Sequence, residues 1–408
     1  MNDRRAHHQH SGALPGQQPS QPGRPRRRVI DVDSLPATGA WRPGDDPGHR
    51  SFAEIGSLAL EVGGRLPAVT IAYESWGRLN AAGDNAVLIL HALTGESHVA
   101  SHGPEDAPGW WEQLVGPGKA IDTNRYFVVA PNVLGGCQGT TGPASPAPNG
   151  TPWGSRFPHL TVRDQVAAEL ELTDLLGIGQ WAAVIGASVG GNRVLEWAVT
   201  APERVRAIAP IATGAQTTAE QVAWAHTQLA AIELDPGWRG GDYYQAAPGE
   251  GPHRGLGLAR SIAHTTYRSP AELDARFGRF PQGGEEPLHG GRLAVQSYLD
   301  HHAAKLAERF DAGSYVALTR AMITHDVGRD RGGVEAALAQ ITAEALVLAV
   351  DSDRLFYPEE SERIARAIPG AGPVGTVRSP YGHDGFLIEC QQVEALLGRF
   401  LRAVSPQR

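Results

Sequence analysis

Five short apolar runs leave few folds open to this chain. They are AVLILHAL (86–93), YFVVAPNVL (126–134), WAAVIGAS (181–188), VRAIAPIA (205–212) and ALVLAV (345–350). None alternates with polar residues, which is the pattern of strands covered on both faces in a parallel sheet. Between two of them, TVRDQVAAELELTDLLG predicts a helix. Val162, Val166 and Leu170 recur at i+4, Thr161 with Asp164 forms a capping box, and Gly177 closes the end. Strands alternating with helices imply an α/β fold with right-handed crossovers. Upstream, SLALEVGGRLPAVTIAYESWG (57–77) alternates apolar and polar residues around Gly63-Gly64, which suggests an antiparallel hairpin.

One region breaks the alternation. Between about 216 and 331 no strand-like run stands out, whereas TTAEQVAWAHTQLAAIEL and RLAVQSYLDHHAAKLAERF are helical. A helical insertion of that size, followed by a return to a strand, reads as a lid. The first 28 residues carry Pro, Gln, Gly, His and Arg and almost nothing to bury, so they cannot offset the entropy of ordering. The expected organisation is a disordered tail (1–40), core (41–215), lid (216–331) and core again (332–408). In the tail, His7, His8 and His10 lack a frame for a metal ion, and Arg26-Arg27-Arg28 reads as solvated. A tail without an apolar core is not a secretory signal, and no run is long enough to span a bilayer.

With 36 Lys+Arg against 44 Asp+Glu, the net charge of −8 argues against a nucleic-acid surface. The two cysteines, Cys137 and Cys390, are too few for a disulfide framework and are expected reduced in a cytoplasmic protein. No metal-ligand spacing appears.

The third run leads into chemistry. Gly186-Ala187-Ser188-Val189-Gly190 matches G-x-S-x-G, preceded by the strand-like WAAVI and followed by the helical NRVLEWAVTAPERV. In a nucleophile elbow the serine sits on a tight strand-to-helix turn, and larger residues two positions either side would collide. The turn places the hydroxyl at a helix N-terminus, which favours developing negative charge. A serine hydroxyl needs a base, and the base needs an orienting acid, in the chain order Ser, Asp or Glu, His. Asp353 in AVDSDRLFYP, with Asp351 as the alternative, and His383 in YGHDGFL satisfy that order. Oxyanion donors are expected from the N–H groups of Val189 and of Leu93, which ends VLILHAL. The loop LGGCQGTTGP lacks the lysine of a phosphate cradle, and Cys137 within it is assigned no role.

HALTGESHVA, GWWEQLVGPGKAIDTNRYFVVAPNVLGGCQGTTGP, GASVGGNRVLEWA, DSDRLFYP and YGHDGF together resemble the homoserine O-acetyltransferase family of the α/β-hydrolase superfamily, from about residue 50 to 400. That resemblance implies a mostly parallel central sheet flanked by helices with a helical lid. It also implies acetyl transfer from acetyl-CoA, a substrate and not a bound cofactor, to the hydroxyl of L-homoserine in methionine biosynthesis. By motif match Ser188 is the nucleophile, Asp353 the orienting acid and His383 the base. Arg260 in GLGLARSIAHTTY matches the arginine for the substrate carboxylate, and Asp384 the residue for its amino group. A homodimer formed through lid helices is the family's usual assembly. The elbow departs from the family's GGSMGG, since Val189 replaces a methionine, and Asn192 and Arg193 stand where Met and Gln are common. Those departures bear on acyl-donor choice, because related enzymes use succinyl-CoA and some acylate serine. The same triad also serves esterases.

Overall fold

The structure, a computed structural model, describes residues 32–404. The strands are β1 (Ser51–Ala59), β2 (Arg65–Trp76), β3 (Ala86–Leu90), β4 (Val115–Gly116), β5 (Ile121–Asp122), β6 (Phe127–Pro131), β7 (Trp181–Ala187), β8 (Ala207–Ile211), β9 (Glu344–Ala345), β10 (Leu348–Val350) and β11 (Gly375–Val377). They form one large sheet in the order β1-β2-β6-β3-β7-β8-β10-β11, with β9 beside β8, while β4 and β5 pair apart from it. From β6 onward every pairing is parallel. Only β1–β2 and β2–β6 are antiparallel. The fold is therefore an α/β-hydrolase arrangement with a mostly parallel centre.

The uninterrupted apolar runs are explained by what covers them. In β3, Val87 and Ile89 face one core and Ala86, Leu88 and Leu90 face the other. The first core is closed by the helix Cys390–Val404 through Val393, Leu397 and Leu401, and the second by α2 (Val189–Thr200) through Val194, Leu195 and Trp197. Burying each such side chain contributes about 1.5–3 kcal/mol, so neither face of the strand can be polar. The 57–77 hairpin forms as expected, beginning earlier, at Ser51. The helix after Thr161 (Val162–Leu175) carries the expected capping box, and Gly177 ends it at φ 68°. The run 345–350 is not one strand: β9 and β10 are separated by Leu346 and Val347.

Helices fill the insertion: α3 (Ala219–Glu233), α4 (His253–Tyr267), α5 (Pro270–Phe277), α6 (Ala294–Arg309) and α7 (Ala312–Ile323). Their own core includes Ile232, Leu256, Ala259, Leu306, Phe310 and Tyr315. The chain leaves and rejoins the sheet at one place, where Thr217 N–H donates to the His325 carbonyl (3.0 Å) and Val327 N–H to that of Ala215 (3.0 Å).

The tail expectation is corrected over residues 32–40. Val32, Ala37, Thr38 and Ala40 are buried, Thr38 Oγ1 donates to Asp311 Oδ1 (2.7 Å), and Gly39 N–H donates to the Phe310 carbonyl (3.3 Å). Small residues and backbone groups do this docking, which a composition argument cannot detect. The remaining tail, with His7, His8, His10 and Arg26–Arg28, lies outside the described residues. No helix among the described residues is long and apolar enough to cross a membrane.

Candidate functional site

Parallel strands end on one edge, and the chemistry collects there. Leu93 lies just beyond β3, Ser188 just beyond β7, Asp353 beyond β10 and His383 beyond β11.

Ser188 holds a strained backbone, φ 56° and ψ −129°, as the turn into α2 requires. The flanking glycines are sterically obligatory. A Cβ on Gly186 would lie 2.6 Å from the Gly190 carbonyl oxygen, and one on Gly190 would lie 2.1 Å from that of Leu90. The elbow is braced from below: Thr213 Oγ1 donates to the Ser188 carbonyl (2.7 Å), and Asn192 Nδ2 donates to Thr213 Oγ1 (3.1 Å) and the Gly214 carbonyl (2.7 Å). The Ser188 side chain itself takes no hydrogen-bond partner among the described residues.

Two backbone donors near the ends of β3 and β7 are uncommitted among the described residues. Val189 is the first residue of α2, so its N–H has no intrahelical acceptor. The Leu93 N–H is likewise uncommitted among the described residues. Its loop is held by His91, whose Nε2 accepts from Val133 N–H (3.1 Å) and whose Nδ1 lies 2.7 Å from the Ala92 carbonyl. Burial, with Arg193 nearby, pushes His91 down to about 3, so this imidazole is neutral at ordinary pH. Arg193 Nη2 donates to the His91 carbonyl (2.7 Å), while its Nη1 pairs with Glu169 in full burial.

His383 sits in a 3-10 turn, Gly382–Asp384. Its Nδ1 lies 2.6 Å from Asp353 Oδ2. Asp353 Oδ1 accepts the N–H groups of Leu355 (2.8 Å) and Phe356 (3.0 Å), which fixes the carboxylate. Asp351, the alternative acid, is exposed and accepts from Ser379 N–H (2.9 Å) instead. Burial alone would lower the imidazole, but the Asp353 carboxylate and, further off, Asp384 outweigh it and raise His383 above its ordinary value. Gly382 has φ 66°, and its missing Cβ lets the end of α4 approach. A Cβ there would lie 2.7 Å from the Tyr267 carbonyl oxygen and 2.8 Å from Ser269 N.

Beside the imidazole lies a pair of opposite charges. Arg260, on α4, donates from Nη1 to Thr94 Oγ1 (3.3 Å) and stacks over the Tyr267 ring at 5.3 Å. The Tyr267 ring is itself 5.9 Å from that of His383. Asp384 Oδ2 accepts from Arg268 Nη1 (3.3 Å). Burial raises the Asp384 carboxyl, while His383, Arg268 and Arg260 pull it back toward the charged form. The structure thus pairs His383 with Asp353, sets Arg260 and Asp384 near that imidazole by way of Tyr267 and of chain adjacency, and leaves Asp351 outside the pairing. Thr94, Arg268 and the Arg193–Glu169 pair escaped sequence reasoning. Only Arg268 left a local signal, its i+4 spacing to Glu272, which it grips through Nε (3.1 Å) and Nη2 (2.8 Å). Cys137 is buried, and burial pushes its thiol up, away from a reactive thiolate.

The α/β-hydrolase fold model matches residues 85–389. A homoserine O-acetyltransferase of Thermobifida fusca is 59% identical over 372 residues, covering 90% of this chain and 97% of that protein. Among solved structures, a homoserine O-acetyltransferase from Bacillus anthracis superposes with TM-score 0.78 at 28% identity, covering 86% of this chain and 97% of its own. An esterase, E22, is equally similar: TM-score 0.78, 28% identity, 86% of this chain and 99% of its own. With identity of that depth across nearly the whole length, the chain belongs to the homoserine O-acetyltransferase family of α/β hydrolases.

Proposed function

We propose that this protein moves an acetyl group from acetyl-CoA to the side-chain hydroxyl of L-homoserine through an acyl-enzyme on Ser188, a step of methionine biosynthesis. The observation that carries the reading is the placement of Arg260 and Asp384, a cation and an anion, beside the His383 imidazole. An amino-acid zwitterion needs one of each. Guanidinium suits a carboxylate through two parallel hydrogen bonds, and a carboxylate suits an ammonium.

In the first half-reaction His383 takes the Ser188 proton as Oγ attacks the thioester carbonyl. The oxyanion is stabilised by the N–H groups of Leu93 and Val189, and the C–S bond breaks to release CoA, protonated from His383. In the second, His383 removes the proton of the homoserine hydroxyl, whose oxygen attacks the acyl carbon. Collapse returns the proton to Ser188. Asp353 holds the imidazole in the tautomer this requires and stabilises its charged form. Ping-pong kinetics follow.

The base must be neutral to act. Because His383 is raised, kcat/KM is expected to climb with pH along an acid limb whose midpoint lies above the ordinary 6.5 of an imidazole. A midpoint below 6 would remove His383 from the base role. Asp384→Asn is expected to raise KM for homoserine about 10- to 100-fold, the worth of a charged hydrogen bond. KM for acetyl-CoA should change little, and equal effects on both would remove the ammonium-binding role.

Hydrolysis is the second reading, favoured by the likeness to esterase E22. Thiol release from acetyl-CoA, measured with and without homoserine, separates the two, since equal rates would mean that water is the acceptor. Succinyl-CoA and serine belong in the same matrix. A cytoplasmic location and a homodimer through the lid helices complete the proposal, and sedimentation of the purified protein tests the dimer.

A further inference from the structure

The oxyanion loop is gripped from the lid at one residue. Thr94 follows Leu93 directly. Its hydroxyl accepts from Arg260 on α4 (3.3 Å), and its carbonyl accepts from Arg309 Nη2 on α6 (3.0 Å). A neutral carbonyl uses one of the five donors of Arg309 and none of its charge. Within α6, Tyr298, His302, Lys305 and Arg309 recur at i, i+4, i+7 and i+11, so they share one face. That face packs against α4, where the His302 ring stacks on that of His264 at 4.0 Å and Tyr298 Oη lies 3.2 Å from His264 Nδ1; Arg309 has Arg260 and Glu96 as charged neighbours. Lys305 and Arg309 are both exposed, and among the described residues neither forms an ion pair. Cations placed side by side raise the local concentration of an anion. Arg260 is taken by the acceptor's carboxylate in the reading above, which leaves Lys305 and Arg309 unassigned.

We propose that Lys305 and Arg309 form a subsite for an anionic group of the acyl donor, at the mouth beside the oxyanion loop. The group is either a phosphate of the coenzyme A portion or the terminal carboxylate of a dicarboxylic acyl chain. Both are oxyanions that a guanidinium and an ammonium recognise. The inference rests on the acyl-CoA reading. It adds that the donor is held by α6 while the acceptor is held by α4.

The test uses Lys305→Gln and Arg309→Gln in the full-length protein, with acetyl-CoA, succinyl-CoA and the uncharged thioester S-acetyl-N-acetylcysteamine as donors. KM for acetyl-CoA is expected to rise about 10-fold in each variant, and to rise with ionic strength in the parent, while in Lys305→Gln kcat/KM for the uncharged thioester stays within about twofold. A rise confined to succinyl-CoA assigns the subsite to the acyl carboxylate. Equal loss on all three donors in Lys305→Gln overturns the proposal, because that side chain would then not read the donor's charge. Lys305→Gln touches no hydrogen bond, so it separates binding from folding. Calorimetry with free CoA reads the subsite without turnover. Unchanged Kd in both variants, with unchanged donor kinetics, also overturns it. A parent protein that binds CoA through these residues yet transfers nothing to homoserine refutes the proposed function and leaves the subsite standing.

Discussion

Ser188→Ala is expected to lower kcat for acetyl transfer by about 10⁴- to 10⁶-fold while the protein folds normally. The elbow does not depend on the hydroxyl. Its bracing runs through the Ser188 carbonyl and N–H, which alanine retains, and the side chain makes no hydrogen bond among the described residues. Residual activity would come from the oxyanion donors and bound-substrate geometry. The check is twofold: a stopped-flow burst of thiol on mixing with acetyl-CoA, and the mass of the protein during turnover. The parent should show a burst and an acetyl adduct, and the variant neither. A variant retaining a tenth of parental kcat would mean direct transfer between the substrates, with no acyl-enzyme.

The second large effect concerns stability. Arg193 and Glu169 are 1% and 3% exposed and paired with each other, and Trp197 Nε1 donates to the remaining Glu169 oxygen (2.7 Å). Removing one partner leaves an uncompensated buried charge, so Arg193→Met is expected to cost about 3–5 kcal/mol of unfolding free energy. Denaturant unfolding measures it. Adding Glu169→Leu should recover much of the loss, since desolvation had offset most of what the pair contributes, and Arg193 Nε is left without a partner among the described residues. A second effect accompanies the first. Arg193 also holds the His91 carbonyl, two residues before Leu93, so the double variant should regain stability before it regains kcat. Full recovery of both would show that the oxyanion loop does not need the guanidinium.

Elements with a repeating physical signature were legible in the sequence. The parallel strands announced themselves because both faces of each are covered, and α1 (Val162–Leu175) because its cap is a local contact within four residues. The elbow was legible for the same reason: Gly186 and Gly190 are forced by atoms a few residues away or on the adjoining strand. His383 and Asp353 could be ranked by chain order alone. What escaped was long-range. Thr94 bonds to residues 166 and 215 positions away, and Thr38 to one 273 positions away, with no periodicity to betray either. The docked stretch 32–40 misled for a related reason: small residues and Gly39 look like linker until the surface that receives them is known.

The near-contact at Gly382 has a consequence for how molecules get in and out. The last turn of α4 lies against the loop of the catalytic imidazole closely enough that a single methyl group would collide. Just past the helix bearing Arg260, Ser269 Oγ donates to the Pro380 carbonyl and Arg268 Nη1 to Asp384 Oδ2 (3.3 Å), so an outward swing of that helix would pull on the segment carrying the base.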